Sequence, residues 1–234
     1  MNPTVLIATH ERLEITSKNI ESLLKQSVKP QIVLVVTDLD EIKYYQNKFE
    51  GIQIINEFNN PLGDKWQTGV DFSRSINPDP LIILGSDDIL GDGYIEKVCE
   101  LIAKGNDFVG IRRWWQHHEG KAYHCDYLAK HSFPLGGGRC YSGKMLKRID
   151  YKLFERQRNR HLDDYGWDNA RNSGLKCLVI DNPEQYGLSI HAIKGDWPVM
   201  NPFTISHKNI RLLRSQKSIE VLPSFYGHTS EATL

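Results

Sequence analysis

The sequence predicts an α/β protein built on an open, mostly parallel sheet flanked by helices, followed by a smaller irregular or antiparallel region. Short runs rich in Val and Ile recur at residues 5–9, 32–36, 52–55, 81–84 and 108–111. Continuous apolar runs of this length suit strands covered on both faces. Helical spacing fills the gaps, with Ile20, Leu23 and Leu24 as one stripe and Tyr94, Ile95, Val98, Leu101 and Ile102 as another. Strands alternating with helix-length crossovers give a parallel sheet, and open sheets of this kind take ligands beyond the carboxyl ends of their strands.

The pattern changes after Arg113. Residues 114–138 hold two tryptophans, a histidine pair, Tyr123, Tyr127 and the run Gly136-Gly137-Gly138, with no clean period. A short helix is expected over 140–149, another over 163–173 and a strand over 175–180, while 220–234 is weakly patterned and expected to fray. With no repeat, low-complexity stretch or linker, 1–234 reads as one domain, divided into 1–113, 114–214 and a tail over 215–234.

Length and composition agree with a protein that folds alone. The chain has 234 residues, 40% hydrophobic and 25% charged, enough to bury a sizeable core. Its formal net charge is +0, which removes any global attraction to nucleic acid or anionic lipid. Cys99, Cys125, Cys140 and Cys177 are scattered and read as reduced thiols. No apolar run is long enough for a signal core or a bilayer span, so a cytoplasmic protein is expected, and peripheral contact with a membrane-borne acceptor stays compatible.

The sharpest local signal is Leu81-Ile82-Ile83-Leu84-Gly85-Ser86-Asp87-Asp88. Two carboxylates emerge together at a strand's carboxyl end, where they repel unless a cation or strong donors hold them. A divalent metal would resolve the conflict, and so would a plain turn in which one of these side chains caps the next helix.

These residues and their surroundings resemble the family 2 glycosyltransferases of the GT-A fold, over about the first 110 residues and more loosely to about residue 200. Thr4-Val5-Leu6-Ile7-Ala8-Thr9-His10-Glu11-Arg12 looks like the family's first strand and nucleotide-contacting turn. The segment from Gln26 to Val36 looks like its second strand with lead-in, and Asn59-Asn60-Pro61-Leu62-Gly63-Asp64-Lys65-Trp66-Gln67-Thr68-Gly69 like the stretch before its acidic motif. Gly85-Ser86-Asp87-Asp88 occupies the place of the DxD signature, although Gly85 or Ser86 stands where the family usually has its first aspartate. Thr37-Asp38-Leu39-Asp40 likewise replaces the common Asp-x-x-Ser.

The resemblance implies a nucleotide-sugar donor, a uridine diphosphate sugar first among them, and an acceptor hydroxyl on a glycan or other molecule. It implies Mn²⁺ or Mg²⁺ held by Asp87, with Asp88 second and His191 as a further candidate ligand. It makes 1–113 the donor-binding half and 114–214 the acceptor side. Thr9, Arg12, Asp38, Lys65, Ser86 and Gly138 become donor-binding candidates: Asp38 as acceptor for a pyrimidine N–H, Thr9 through its backbone, Lys65 as a point charge for the diphosphate. Lys194 or Lys208 is a further candidate to close over the diphosphate. Arg12, Asp38 and Lys65 have plain alternatives, namely a surface arginine, a helix cap and a solvated lysine.

Inverting transfer needs a carboxylate to take the acceptor's proton. His161-Leu162-Asp163-Asp164-Tyr165-Gly166-Trp167 resembles the family's acidic motif at a helix start, which points to Asp164 first and Asp163 second, a one-residue shift swapping them. A helix N-terminus favours an ionised carboxylate, and an N-cap is the structural alternative. Trp114, Trp115 and Trp197 offer stacking faces for sugars, or core. His117, His118, His124, Cys125, His131 and Cys140 match no common zinc spacing. Two other functions compete: a nucleotidyltransferase, disfavoured because no glycine-rich loop follows the first strand, and a catalytically degenerate member that binds a sugar or partner.

Overall fold

The computed structural model describes residues 1–127, 133–194 and 210–222. The elements run β1 (Thr4–Ala8), α1 (Leu13–Lys25), β2 (Gln31–Val36), α2 (Leu39–Lys48), β3 (Gln53–Asn56), α3 (Leu62–Ser75), β4 (Leu81–Gly85), β5 (Asp88–Leu90) and α4 (Tyr94–Ala103). They continue with β6 (Phe108–Ile111), β7 (Arg113–His118), β8 (Lys121–Tyr127), β9 (Arg139–Tyr141), α5 (Gly143–Arg148), α6 (Leu162–Asn172), β10 (Cys177–Ile180), a 3₁₀ turn (Pro183–Tyr186), β11 (Ile190–Ile193), β12 (Ile210–Lys217) and α7 (Ser218–Val221).

Seven strands form the main sheet in the order β10-β6-β9-β4-β1-β2-β3, parallel except for β9, which runs antiparallel to both β4 and β6. Alternate side chains go to opposite faces. Val5, Ile7 and Leu34 meet α1, α2 and α4 through Ile20, Leu23, Tyr45, Tyr94 and Val98. Leu6, Val33 and Val35 meet α3, α5 and α6 through Val70, Met145, Leu146, Trp167 and Ala170. Burying both faces explains the unbroken apolar runs, since each fully buried aliphatic side chain contributes about 1.5–3 kcal/mol.

The register sets the site. Ala8 lies opposite Val35 on one side and Gly85 on the other, so β1, β2 and β4 end level. The segments that leave these ends, 9–12, 37–38 and 86–88, therefore open onto the same edge.

A second sheet, in the order β12-β8-β7-β11-β5, packs beyond that edge. Its core is a β7–β8 hairpin whose two-residue turn, Glu119-Gly120, has φ of 48° and 73°, a turn that matches strand twist. The expectation of an antiparallel region after 113 is met, but the halves interleave. β5 belongs to the second sheet, whereas β9 and β10 return to the first.

Two local expectations differ from the structure. Leu24 is 41% exposed, and α1 instead buries Ile15, Thr16, Asn19, Ile20 and Leu23. Cys140 is not helical, because it pairs with Ile82 and Val109 in β9; the helix waits for Ser142, whose hydroxyl accepts from the Met145 amide at 3.0 Å. The expected fraying of 220–234 concerns mostly residues 223–234, which lie outside the described residues.

One glycine in the first turn of α3 fixes how the loop before α6 packs on that helix. The Gly63 amide donates to the Arg158 carbonyl at 2.8 Å, and a Cβ at position 63 would fall 2.1 Å from the Glu155 carbonyl oxygen. A backbone oxygen cannot rotate away as a side chain can. Gly63→Ala is therefore expected to lower stability by about 1–3 kcal/mol despite alanine's better helix propensity. An unchanged or raised urea midpoint would contradict this packing.

Candidate functional site

Among the described residues, three adjoining cavities follow the edge where β1, β2 and β4 end. The first, about 600 Å³, includes His10, Arg12, Asp38, Glu41 and Tyr44 in its wall. The second, about 240 Å³, is bounded by Thr9, His10, Arg12, Trp66, Ser86 and Asp87. The third, about 270 Å³, is bounded by Trp66, Gly85, Asp88, Gly136, Gly137 and Asp163. His10 and Arg12 are shared by the first two, and Trp66 and Gly85 by the last two, so the cavities form one row.

The 86–88 turn governs the middle of the row. After β4 the chain does not enter a helix, so none of Ser86, Asp87 or Asp88 is a cap; it crosses into β5, and α4 starts only at Tyr94. Asp87 is buried and held from two sides, with Lys194 Nζ 2.7 Å from Oδ2 and Arg12 Nη1 3.4 Å from Oδ1. Its carbonyl accepts from the Ile193 amide at 2.8 Å. Arg12 also donates to Ser86 Oγ at 3.2 Å.

Asp88 is the stressed member of the pair. Burial first, then the charge of Asp87, pushes its carboxyl up to about 7, against a lowering by Lys194 and the Gly85 backbone; Asp163 adds to the rise. The carboxyl is packed tightly enough that a Cβ at Gly85 or Gly137 would lie 2.6 or 2.5 Å from Oδ2. Gly136 serves Asp163 likewise, its hypothetical Cβ being 2.3 Å from Asp163 Oδ2. Two adjacent glycines thus let the backbone lie against both acids.

Arg139, which sequence reasoning missed, fastens this corner. It is buried and donates to the carbonyls of Leu135 (2.8 Å), Pro134 (2.9 Å) and Asp163. The glycine loop and the start of α6 are thereby one unit. The backbone at His161, φ 55°, aims this first turn, and Glu11, φ 55°, does the same before α1. Left-handed backbone at non-glycine residues stores strain that often marks functional segments.

Of the two candidate bases, Asp163 lines the third cavity, whereas Asp164 turns aside, 3.6 Å from His161 Nδ1. Asp163 and not Asp164 borders that cavity, because successive helix residues point about 100° apart.

Other expected residues take different places. Lys65 cannot reach a diphosphate. It is fully buried, with its ammonium on the Thr9 carbonyl, Thr37 Oγ1 (2.7 Å) and Asn59 Oδ1 (3.3 Å), and desolvation pulls it down to about 8 against the charges of Glu41 and Glu57. It pins the ends of β1 and β2 from behind. Thr9 borders the second cavity, but its amide goes to Val35, its carbonyl to Lys65 and its hydroxyl to Thr16 (2.8 Å). The Thr9 amide is thus committed within the sheet, and its carbonyl already accepts from Lys65.

Asp38 combines both of its readings. Oδ1 caps α2, accepting from Asp40 N at 2.7 Å and Glu41 N at 3.4 Å, while the residue stands in the wall of the first cavity. Gly138 faces the core, not the cleft: at φ 75° a Cβ would meet Ile190 at 2.1 Å. Trp114 and Trp115 are core, Trp115 stacking on His124 at 4.6 Å. Trp66 supplies the aromatic wall instead, stacked on Phe154 at 5.2 Å and 22°. Its signal was its place in the 59–69 segment. Trp197, Lys208 and His131 lie outside the described residues.

The residues expected to hold Mn²⁺ or Mg²⁺ all have contacts within the protein. Among the described residues no three His, Cys, Asp or Glu side chains converge as a ligand set. Asp87 gives its oxygens to Arg12 and Lys194, while Asp88, half-buried, borders the third cavity beside the Gly85 and Gly137 backbone. His191 spends both ring nitrogens, on His117 Nε2 (3.0 Å) and Ser189 Oγ (2.9 Å), and burial drives it down to about 3. A hard cation wants several oxygen donors with free lone pairs, and at Asp87 one guanidinium and one ammonium stand against the carboxylate.

No protein-family model and no curated protein matches the sequence. Solved structures do match. The chain superposes on Staphylococcus aureus TarS with a TM-score of 0.61 and 15% identity, over 83% of this chain and 37% of that one. A second TarS structure, spanning 1–349, gives 0.58 and 14%, over 80% and 62%. The chain thus spans less than two thirds of either. This similarity shows a glycosyltransferase-like α/β fold of the GT-A type. No helix among the described residues is long and apolar enough to cross a membrane.

The raised Asp88 carboxyl has a signed consequence. Between its unfolded value near 4 and its folded value near 7 the native state binds more protons, so this group's contribution to stability falls as pH rises through that window. Asp88→Asn removes the dependence. The melting temperature of Asp88→Asn minus that of the unaltered protein is expected to climb as pH goes from about 5 to about 8. A flat or falling difference would show that Asp88 ionises normally.

Proposed function

We propose that this chain is a glycosyltransferase that moves a sugar from a nucleoside-diphosphate donor, a uridine diphosphate sugar being the first to test, to an acceptor hydroxyl with inversion at the anomeric carbon. The row of three cavities carries the reading. Their order matches the parts of the donor: a nucleoside beside Asp38, a diphosphate beside Arg12 and Ser86, and a sugar against Trp66 and the glycine pair. The glycosyltransferase-like fold supports it independently.

Each step has a residue. Trp66 offers an apolar face to the sugar, and Gly136-Gly137 lets backbone approach it closely. The acceptor oxygen, on a glycan or another hydroxyl compound, attacks the anomeric carbon from the Asp163 side. Its proton passes to the Asp163 carboxylate as the bond to the diphosphate oxygen breaks and the electron pair leaves with the nucleoside diphosphate. Asp88, whose carboxyl is pushed up by burial and then by the Asp87 charge, stands by the same cavity. Action in the cytoplasm belongs to this reading, as does reach to an acceptor at a membrane surface.

Asp163→Asn is expected to cut transfer by about 10²–10⁴-fold while donor affinity stays within about twofold, and Asp164→Asn to leave turnover within about tenfold. Transfer and donor hydrolysis assays, with affinity measured by calorimetry, separate these outcomes. Loss of turnover confined to Asp164→Asn would return the base to that residue. Donor binding without turnover in the unaltered protein would instead indicate a degenerate binder. If no nucleoside diphosphate raises the melting temperature, the transferase reading fails.

A further inference from the structure

Three arginines alternate along the loop that precedes α6, at 156, 158 and 160, and they differ in what they meet. Arg156 pairs with Asp64 and Asp71, and Arg158 pairs with Glu155 at 2.7 Å. Arg160 has neither an ion pair nor a hydrogen bond among the described residues, and it alone of the three stands in the wall of the third cavity. The other titratable groups of that wall have neighbours of their own. Asp88 is next to the charges of Asp87 and Lys194, His161 Nδ1 is 3.6 Å from Asp164, and the Asp163 carboxyl lies against Gly136. Although Arg160 is exposed, its backbone is fixed from both sides. The Gly63 amide donates to the Arg158 carbonyl at 2.8 Å, the Leu62 amide to Asn159 Oδ1 at 2.7 Å, and Asn159 Nδ2 to Asn60 Oδ1 at 2.9 Å. Beyond it, Arg139 donates to the Asp163 carbonyl. A cation carried on fixed backbone at a cavity wall is spared part of the ordering cost of binding an anion.

We infer that Arg160 is the recognition site for an anionic substituent, a carboxylate or a phosphate, that one of the two substrates carries beside the transferred sugar. The inference rests on the transferase reading, which puts that sugar in the third cavity. Arg160 shares the wall with Asp163 yet forms no ion pair with it, which leaves the guanidinium's fork of donors to a ligand. A planar guanidinium meets a carboxylate or phosphate with two parallel hydrogen bonds, each stronger than a neutral one. Two substrates supply such a group here: a donor whose sugar is a uronic acid, or an acceptor with a phosphate or carboxylate near its reacting hydroxyl. A neutral hexose leaves Arg160 to water and gains nothing from it. The pairing also matters to the base, since an anion brought near Asp163 without a cation would raise that carboxylate's pKa, and Arg160 offsets the added charge.

The test is calorimetric binding to the intact chain in two arms. The donor arm compares UDP-glucuronic acid with UDP-glucose, and the acceptor arm compares glucose 6-phosphate with glucose while UDP is held at saturation. In one arm the anionic member is expected to bind about tenfold or more tightly than the neutral one, and that arm identifies the substrate that carries the charge. Arg160→Gln is expected to bring the two members of that arm within about threefold, and Arg160→Lys to restore part of the difference. Arg158→Gln, whose side chain is outside the cavity wall, is expected to leave the preference intact. Because Arg160 has no partner among the described residues, Arg160→Gln is expected to melt with the unaltered protein, and an early melt would show that the side chain is tied within the fold. Anionic and neutral members bound within about threefold in both arms, or a preference that survives Arg160→Gln, overturn the inference and leave the transferase reading standing on UDP binding alone. Where UDP does not bind, GDP, ADP or CDP and their sugars take its place, and failure of all four overturns both.

Discussion

The site depends on how Asp87 is held. Its carbonyl accepts from β11, its carboxylate draws in Lys194 from the end of the same strand, and Arg12 reaches it from the entry to α1. Those contacts tie the main sheet, the second sheet and the first helix together at the point where β4 crosses into β5. Breaking a buried ion pair by removing one partner strands a charge and costs about 3–5 kcal/mol, so this junction tolerates little change. The middle cavity lies beside this junction, with Arg12 and Asp87 in its wall.

Around that junction the structure keeps its acids distinct by environment. Asp87 is satisfied by cations, Asp88 is half-buried and shifted toward its neutral form, and Asp163 borders the cavity at the start of a helix. Their packing is a matter of backbone, since Gly85, Gly136 and Gly137 have no side chain to hold the acids apart. Lys65 and Arg139 do complementary work from behind. One gathers the ends of β1 and β2, and the other binds the glycine loop to α6. Neither meets the cleft as a ligand group, yet the placement of Thr9, Asp38 and Asp163 follows from them.

The first five parallel strands were legible because burial on both faces demands unbroken Val and Ile runs, and each fell within one residue of its expected limits. β5 was not, since three residues in a row leave no period to read. Lys65 went unrecognised as a buried residue because a periodicity argument treats lysine as surface; only the carbonyl and side-chain oxygens around it, contributed from residues 9, 37 and 59, make burial tolerable. His191 was a candidate ligand in sequence, and the hydrogen bond that occupies it could not be read because its partner His117 is 74 positions away. The adjacent pair Asp163 and Asp164 could not be ordered without helix phase. Lys194 was legible as a candidate for the diphosphate, but its pairing with Asp87 needed the crossing of β4 into β5 to bring them together.

Transfer as proposed needs the row of cavities to take a nucleotide-sugar from end to end, with Arg12 at its centre. A crystal structure of the chain with a bound nucleoside diphosphate tests it most directly. The account predicts the nucleoside toward Asp38, a phosphate oxygen in hydrogen-bond contact with the Arg12 guanidinium, and the terminal phosphate directed at the space between Trp66 and Asp163. A nucleotide lodged outside that row, or one whose phosphates leave Arg12 untouched, would contradict it.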